Sequence, residues 1–230
     1  MTIDLLAAPV GEPWRQPAAY WPSLTAATAD RSAPVAVLGL EALRYNALDM
    51  IARAGGMPIR VASKSLRVRE ALDALLALPG YRGILAFTLA EALWLADTHD
   101  DVVVGYPTAD RAALAALVAS EAASARVTLM VDGPAQLDLV DAVASPATRP
   151  EVRVAIDADA SWRSRALGHI GVRRSPLHDA DDVARFARHI AARPGFRLTG
   201  LMMYEAQIAG QPDAEGPSDP VIRWMQRSSG

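Results

Sequence analysis

The chain has 230 residues, 51% of them hydrophobic and 21% charged, which is enough apolar material for one sizeable core and excludes a disordered chain. A formal net charge of -3 argues against a nucleic-acid binder, and the absence of cysteine excludes disulfides and thiolate metal sites. No apolar run is long enough to span a bilayer, and the N-terminus carries Asp4 and no basic flank as a secretory signal would, so a soluble cytoplasmic protein is expected.

Residues 1–32 read as an irregular N-terminal arm with room for a short helix. Pro13, Pro17 and Pro22 interrupt it. Residues 33–230 read as the main domain. The run 34–40 is apolar and predicts a strand. Residues 41–54 predict a helix, because Leu43, Ala47, Met50 and Ile51 fall at helical spacing and Gly55-Gly56 ends the run. An alternation follows. Strands are predicted over 58–63, 83–87, 101–106, 126–131, 151–157 and 196–204. Helices are predicted over 68–78, 89–97, 110–123, 134–144 and 179–192. A long connection, 158–178, precedes the fifth of these helices. A Gly/Pro-rich loop (209–218) and a last helical piece (219–227) follow the final strand.

Strands alternating with helices imply a parallel sheet with helices packed outside it. The strands are nearly continuous apolar runs, as expected when both faces are covered. Their regular pitch suits either a (β/α) barrel or a doubly wound sheet. No GxGxxG follows the first of these strands and no GxxxxGK[ST] is present, so neither a dinucleotide fold nor a P-loop is supported. From residue 58 onward six barrel-type strands are legible, where a closed barrel needs eight. Either further strands escape the pattern, or the chain ends before such a barrel closes.

One residue stands out by rarity. Of 23 Lys+Arg residues, Lys64 is the only lysine. A GC-rich gene accounts for few lysines but not for the survivor. Arginine stays protonated and cannot serve as an amine nucleophile, whereas lysine can. Lys64 ends the predicted strand 58–63, and in parallel barrels the active site lies at that end. There a lysine would be partly desolvated, which favours the neutral amine that condenses with aldehydes. A solvated loop lysine is the alternative.

The stretch ALRYNALDMIARAGGMPIRVASKSLR (42–67) resembles the barrel-entry segment of the alanine racemase N-terminal domain superfamily, the fold-type III pyridoxal phosphate enzymes. In that superfamily a helix containing an Asn precedes the first barrel strand, which ends in the cofactor lysine. Asn46 and Lys64 occupy those places. EVRVAIDADASWR (151–163), HIGV (169–172) and GLMMYEAQIAG (200–210) are further similarities. The wording is nearest the D-threonine aldolase-like branch, which includes amino acid deaminase/aldolase proteins.

The resemblance implies a (β/α)8 TIM-barrel type fold, incomplete here at about six of eight βα units and lacking the family's C-terminal β domain. It implies pyridoxal 5'-phosphate joined to Lys64 as a Schiff base and an amino acid substrate. The reaction would be D-threonine aldolase-like, deaminase-like or a racemisation, with an inactive fragment also open. The alternatives are a non-catalytic pyridoxal phosphate carrier of the same superfamily and a non-enzymatic remnant. Tyr204 ends the sixth strand and either contacts the cofactor or packs. Asp157 ends the fifth strand and either accepts a hydrogen bond in the site or caps a turn. His169 stands where relatives have a cofactor-region arginine. It either substitutes for that arginine or leaves the role to Arg163, Arg165 or Arg173. His99, His178 and His189 lack ligand spacing, so no metal site is expected, although full-length relatives carry divalent metal ligands in the β domain. Relatives are dimers, which leaves a homodimer open.

Overall fold

A computed structural model describes residues 3–7, 10–166, 168–205 and 207–208. The chain divides into two compact units, Met1–Phe87 and Thr88–Gly230.

In the first unit the arm carries a short 3-10 turn at Pro13–Arg15 and helix α1 at Pro17–Ala27. Leu5 is buried, the Arg44 guanidinium donates to the Leu6 carbonyl, and Trp14 meets Tyr45 edge-on at 5.3 Å. These contacts tie the arm to helix α2, Leu40–Arg53. Strand β1 (Ile59–Ala62), helix α3 (Ser63–Leu66), helix α4 (Arg69–Leu76) and strand β2 (Tyr81–Ala86) complete the unit. β1 and β2 are parallel, with Val61 opposite Ile84. α4 buries Ala71, Leu72, Ala74 and Leu75, one apolar stripe of an otherwise polar helix. The Tyr81 hydroxyl donates to the Ala47 carbonyl at 3.1 Å and pins the start of β2 to α2.

The strand predicted over 34–40 does not form. Residues 34–39 are irregular, 34–38 of them exposed, and Leu40 already belongs to α2. An apolar run is a strand only where a neighbour satisfies its backbone groups, and none does so here among the described residues.

The second unit holds α5 (Leu89–Ala96), β3 (Val102–Val104), α6 (Arg111–Val118), α7 (Glu121–Arg126), β4 (Val127–Val131), α8 (Pro134–Val143) and β5 (Val152–Ala158). β6 (Trp162–Ser164) and β7 (Gly168–Ile170) form an antiparallel hairpin, followed by α9 (Ala180–Ala192) and β8 (Phe196–Met203). β3, β4, β5 and β8 pair in that order, all parallel. Every residue of β4 is buried, as is every residue of β5 but Arg153, because helices cover the sheet.

Two sequence expectations change here. The helix predicted over 110–123 is two helices, because the Ser120 side chain accepts from the Ala123 N–H and starts α7 afresh. The connection 158–178 is not featureless but contains the β6–β7 hairpin. The loop expected at 209–218 and the helix at 219–227 lie outside the described residues.

The described residues thus hold two parallel strands in one unit and four in the other. The fold is α/β and matches a (β/α) barrel that is incomplete at six strands of eight. Among the described residues no helix is long and apolar enough to cross a membrane.

Candidate active site

In the first unit, β1 runs directly into the single turn of α3. Ser63, buried, donates its hydroxyl to the Leu85 carbonyl at 3.3 Å, which fixes the strand-to-helix junction against β2. Arg67 ends the turn in the left-handed region at φ 46°, and its N–H reaches back to the Ser63 carbonyl at 2.8 Å. Lys64 therefore projects from a closed turn at the carboxyl end of β1. Its Nζ stands 5.8 Å from the ring centroid of Phe87, the residue that follows β2. The Arg67 guanidinium lies at the same distance from that ring.

Lys64 is exposed rather than buried. A one-turn helix lifts it clear of the strand. The amine stands toward Phe87, just beyond the carboxyl end of β2. An accessible amine beside an aromatic ring suits condensation with an aromatic aldehyde, so this residue set fits pyridoxal phosphate. Asn46 is exposed on α2.

In the second unit, Asp157 is fully buried near the end of β5. It accepts two hydrogen bonds from Arg174 Nε, at 2.8 and 2.9 Å. Arg174 Nη2 donates to the Gly105 carbonyl, just beyond β3. The guanidinium also faces two tyrosine rings, Tyr106 at 4.6 Å and Tyr204 at 5.8 Å. One arginine thus gathers the carboxyl ends of β3, β5 and β8. Burial pushes the Asp157 carboxyl above its ordinary range; Arg174 pulls it back, while Asp132 and Asp159 push it further up. Burial alone would lower Arg174, but Asp157 and Tyr106 outweigh it and hold the guanidinium above its ordinary value.

Asp159 lies two residues on. Burial pushes its carboxyl up, but hydrogen bonds from Ser161 and the charges of His169 and His178 outweigh that and hold it below the usual range. The His178 Nδ1–H donates to the Asp159 carbonyl at 3.1 Å, and the Asp159 N–H donates to Leu177 at 2.8 Å. These two bonds close the base of the excursion that carries the hairpin. On the hairpin, His169 sits directly opposite Arg163. His169 Nδ1 is 3.5 Å from Ser161 Oγ, and its buried Nε2 has no partner. Arg163 is exposed.

Of the residues singled out in the sequence, Asp157 and Tyr204 converge on one guanidinium, Arg163 and His169 share one hairpin, and Lys64 belongs to the first unit. Arg174 and Tyr106 were missed. A carboxylate buried on an apolar strand demands a cationic partner. The sequence left Asp157 as either an acceptor in the site or a turn cap, and nothing in it singles out Arg174 among the four nearby arginines, Arg163, Arg165, Arg173 and Arg174. Among the described residues no group of three or more His, Asp or Glu is arranged to hold a metal.

A family model described as alanine racemase, N-terminal domain, matches residues 38–221. D-threonine aldolase from Filomicrobium marinum superposes with a TM-score of 0.60 at 22% identity, over 75% of this chain and 44% of that one. Alanine racemase from E. faecalis superposes with a TM-score of 0.54 at 16% identity, over 70% of this chain and 41% of that one. At these identities the likeness is one of fold, and this chain spans less than half the length of either structure. No curated protein matches it.

Proposed function

Since the chain belongs to the alanine racemase N-terminal domain family, whose fold-type III members are pyridoxal phosphate enzymes, we propose that it is the cofactor-binding part of a pyridoxal-phosphate-dependent enzyme acting on amino acids. The D-threonine aldolase or D-amino acid deaminase type is the one we favour. The observation that carries this reading is Lys64: the chain's only side-chain amine, held at the carboxyl end of a parallel strand and facing an aromatic ring.

When bound, pyridoxal phosphate supplies an electron sink that weakens the bonds at an amino acid's α-carbon. Lys64 binds the cofactor through Nζ. Ser63 and Arg67 keep the turn closed, so the amine is presented in one direction. Tyr204 offers an exposed phenol, which in this reading holds or moves a proton at its Oη. Asp157 keeps Arg174 charged and in place. His169 and Arg163 contribute to holding the cofactor from the hairpin. The reading also takes the protein as a cytoplasmic homodimer whose partner molecule is a small amino acid, not nucleic acid or membrane.

The test is a titration of purified protein with pyridoxal phosphate. A red-shifted absorbance band should saturate at one cofactor per chain. Lys64→Ala should abolish it, leaving only the terminal amine to react. Retention of the band in Lys64→Ala would refute the assignment. Turnover of D-threonine or D-serine would then separate an enzyme from a chain that only holds the cofactor.

A further inference from the structure

Arg67 holds a backbone conformation that disfavours any residue with a Cβ. Its φ is 46°, in the left-handed region, and among the described residues the other positive φ values all belong to glycines. Glycine would end α3 there without strain, as it ends many helices. A long cationic side chain in such a place points to a task for that side chain.

The side chain is anchored at the site's own amine. Nε donates to the Lys64 carbonyl at 3.3 Å, and the guanidinium carbon lies 5.8 Å from the centroid of the Phe87 ring. Lys64 Nζ lies at the same distance from that centroid. The guanidinium is thus tied to the backbone of the residue whose amine it accompanies. Among the described residues its two Nη groups make no hydrogen bond and the side chain makes no ion pair. Arg67 and Lys64 are both exposed, within reach of a small solute.

This arrangement favours one class of ligand. With Nε committed, the guanidinium presents the edge that carries Nη1 and Nη2, a pair of parallel N–H donors. That edge matches the two oxygens of a planar carboxylate. Arginine also keeps its charge and does not compete with Lys64 as a nucleophile. Amino acids and 2-oxo acids carry a carboxylate one bond from the reacting carbon. A cation anchored on the residue that bears the reactive amine is suitably placed to hold it.

We propose that Arg67 is the carboxylate-binding residue of the Lys64 site, holding the α-carboxylate of the amino acid or 2-oxo acid that reacts there. The proposal deepens the reading of Lys64 given above and rests on it only in taking Nζ as the reacting amine.

The experiment measures which small aldehydes Lys64 accepts. The full chain is treated with cyanoborohydride and glyoxylate, glycolaldehyde or glycolaldehyde phosphate, and labelling is read peptide by peptide by mass spectrometry. In each case Nζ adds to the aldehyde carbon, water leaves, and hydride from the reagent reduces the C=N bond to a secondary amine. Lys64 is the only lysine, so the terminal amine of the same chain serves as the internal reference. The ratio of Lys64 to terminal labelling should be about fivefold higher for glyoxylate than for glycolaldehyde, the preference one well-oriented exposed ion pair gives. That preference should shrink as sodium chloride is raised. Arg67→Gly and Arg67→Asn both suit the left-handed backbone and keep the N–H that closes the turn, and each should remove the preference, with circular dichroism confirming the fold. Arg53→Gln, on α2, should retain it. Wild-type protein without the preference overturns the proposal, as does a preference that survives in both folded Arg67 variants. So does an Arg67-dependent preference for glycolaldehyde phosphate over glyoxylate. Labelling by pyridoxal phosphate, read in parallel, keeps the two assignments apart. A Lys64 that takes pyridoxal phosphate but shows no glyoxylate preference sinks this one alone, and the reverse pattern sinks the cofactor reading alone.

Discussion

Arg149 offers the sharpest test of how the second unit is held together. Its side chain is wholly inaccessible to solvent. Nε donates to the Ala144 carbonyl at 3.2 Å, Nη1 to Pro150 at 3.1 Å and Gly195 at 2.6 Å, and Nη2 to Asp141 at 2.7 Å. The guanidinium also lies 4.5 Å from the Phe196 ring centroid. One planar group therefore fastens the end of α8, the entry to β5 and the entry to β8. Arg149→Met keeps most of the volume and the contact with Phe196 but removes every donor. Asp141 keeps Arg193 at 2.6 Å, so no carboxylate is stranded. The Ala144 and Pro150 carbonyls lose this donor, at about 1–3 kcal/mol for each that stays dry, while the Gly195 carbonyl keeps the Val152 N–H at 3.0 Å. Relief from burying the guanidinium offsets part of this. The net loss should be about 3–4 kcal/mol, a large share of the roughly 5–15 kcal/mol that holds a typical domain folded. Arg149→Lys, with one point charge for three separated carbonyls, should recover less than half. Urea unfolding followed by circular dichroism reads the shift in midpoint at constant slope. The control is the exposed pair Arg197–Glu151, 2.9 Å apart, where Glu151→Gln should cost about 0.5 kcal/mol or less. If Arg149→Met proved as mild as Glu151→Gln, or if Arg149→Lys were indistinguishable from wild type, the reasoning from donor geometry would be wrong.

Other consequences follow from single contacts. Ser120→Ala removes the cap of α7 and should destabilise the protein by about 1 kcal/mol, while Ser120→Asp should restore most of it, both by urea midpoint. Burial pushes the Tyr81 phenol above its ordinary 10.0. The folded state therefore keeps this proton longer than the unfolded chain, and wild-type stability should fall as pH rises past 10. Tyr81→Phe should be less stable than wild type at neutral pH, through loss of the bond to Ala47, yet show a shallower decline above pH 10. Equal slopes for the two proteins would refute the assignment.

The elements that the sequence makes legible are those whose pattern is local. β4 is apolar but for Thr128 and β5 but for Arg153 and Asp157, and α4 and α9 show one clear stripe each, so strand and helix follow from the local pattern. The misreadings share a cause. The run 34–40 has the composition of a strand, but strands depend on a partner elsewhere in the chain. The break at Ser120 turns on one hydroxyl capturing one N–H, against a helical pattern that continues on both sides. α3 is a single turn, too short to have a period. For the site, Lys64 was legible because it is unique, and Asp157 and Tyr204 because they end apolar strands. Arg174 was not, because its reach to Asp157 and Gly105 spans 17 and 69 positions in the chain. Its neighbour Arg173 has the same side chain and stays exposed.

The central claim concerns a single nitrogen. Protein incubated with pyridoxal phosphate, reduced with borohydride and digested should yield one modified peptide, the one containing Lys64, with the pyridoxyl phosphate group on that side chain. A label confined to the N-terminal amine, or no label after exhaustive reduction, would contradict the account.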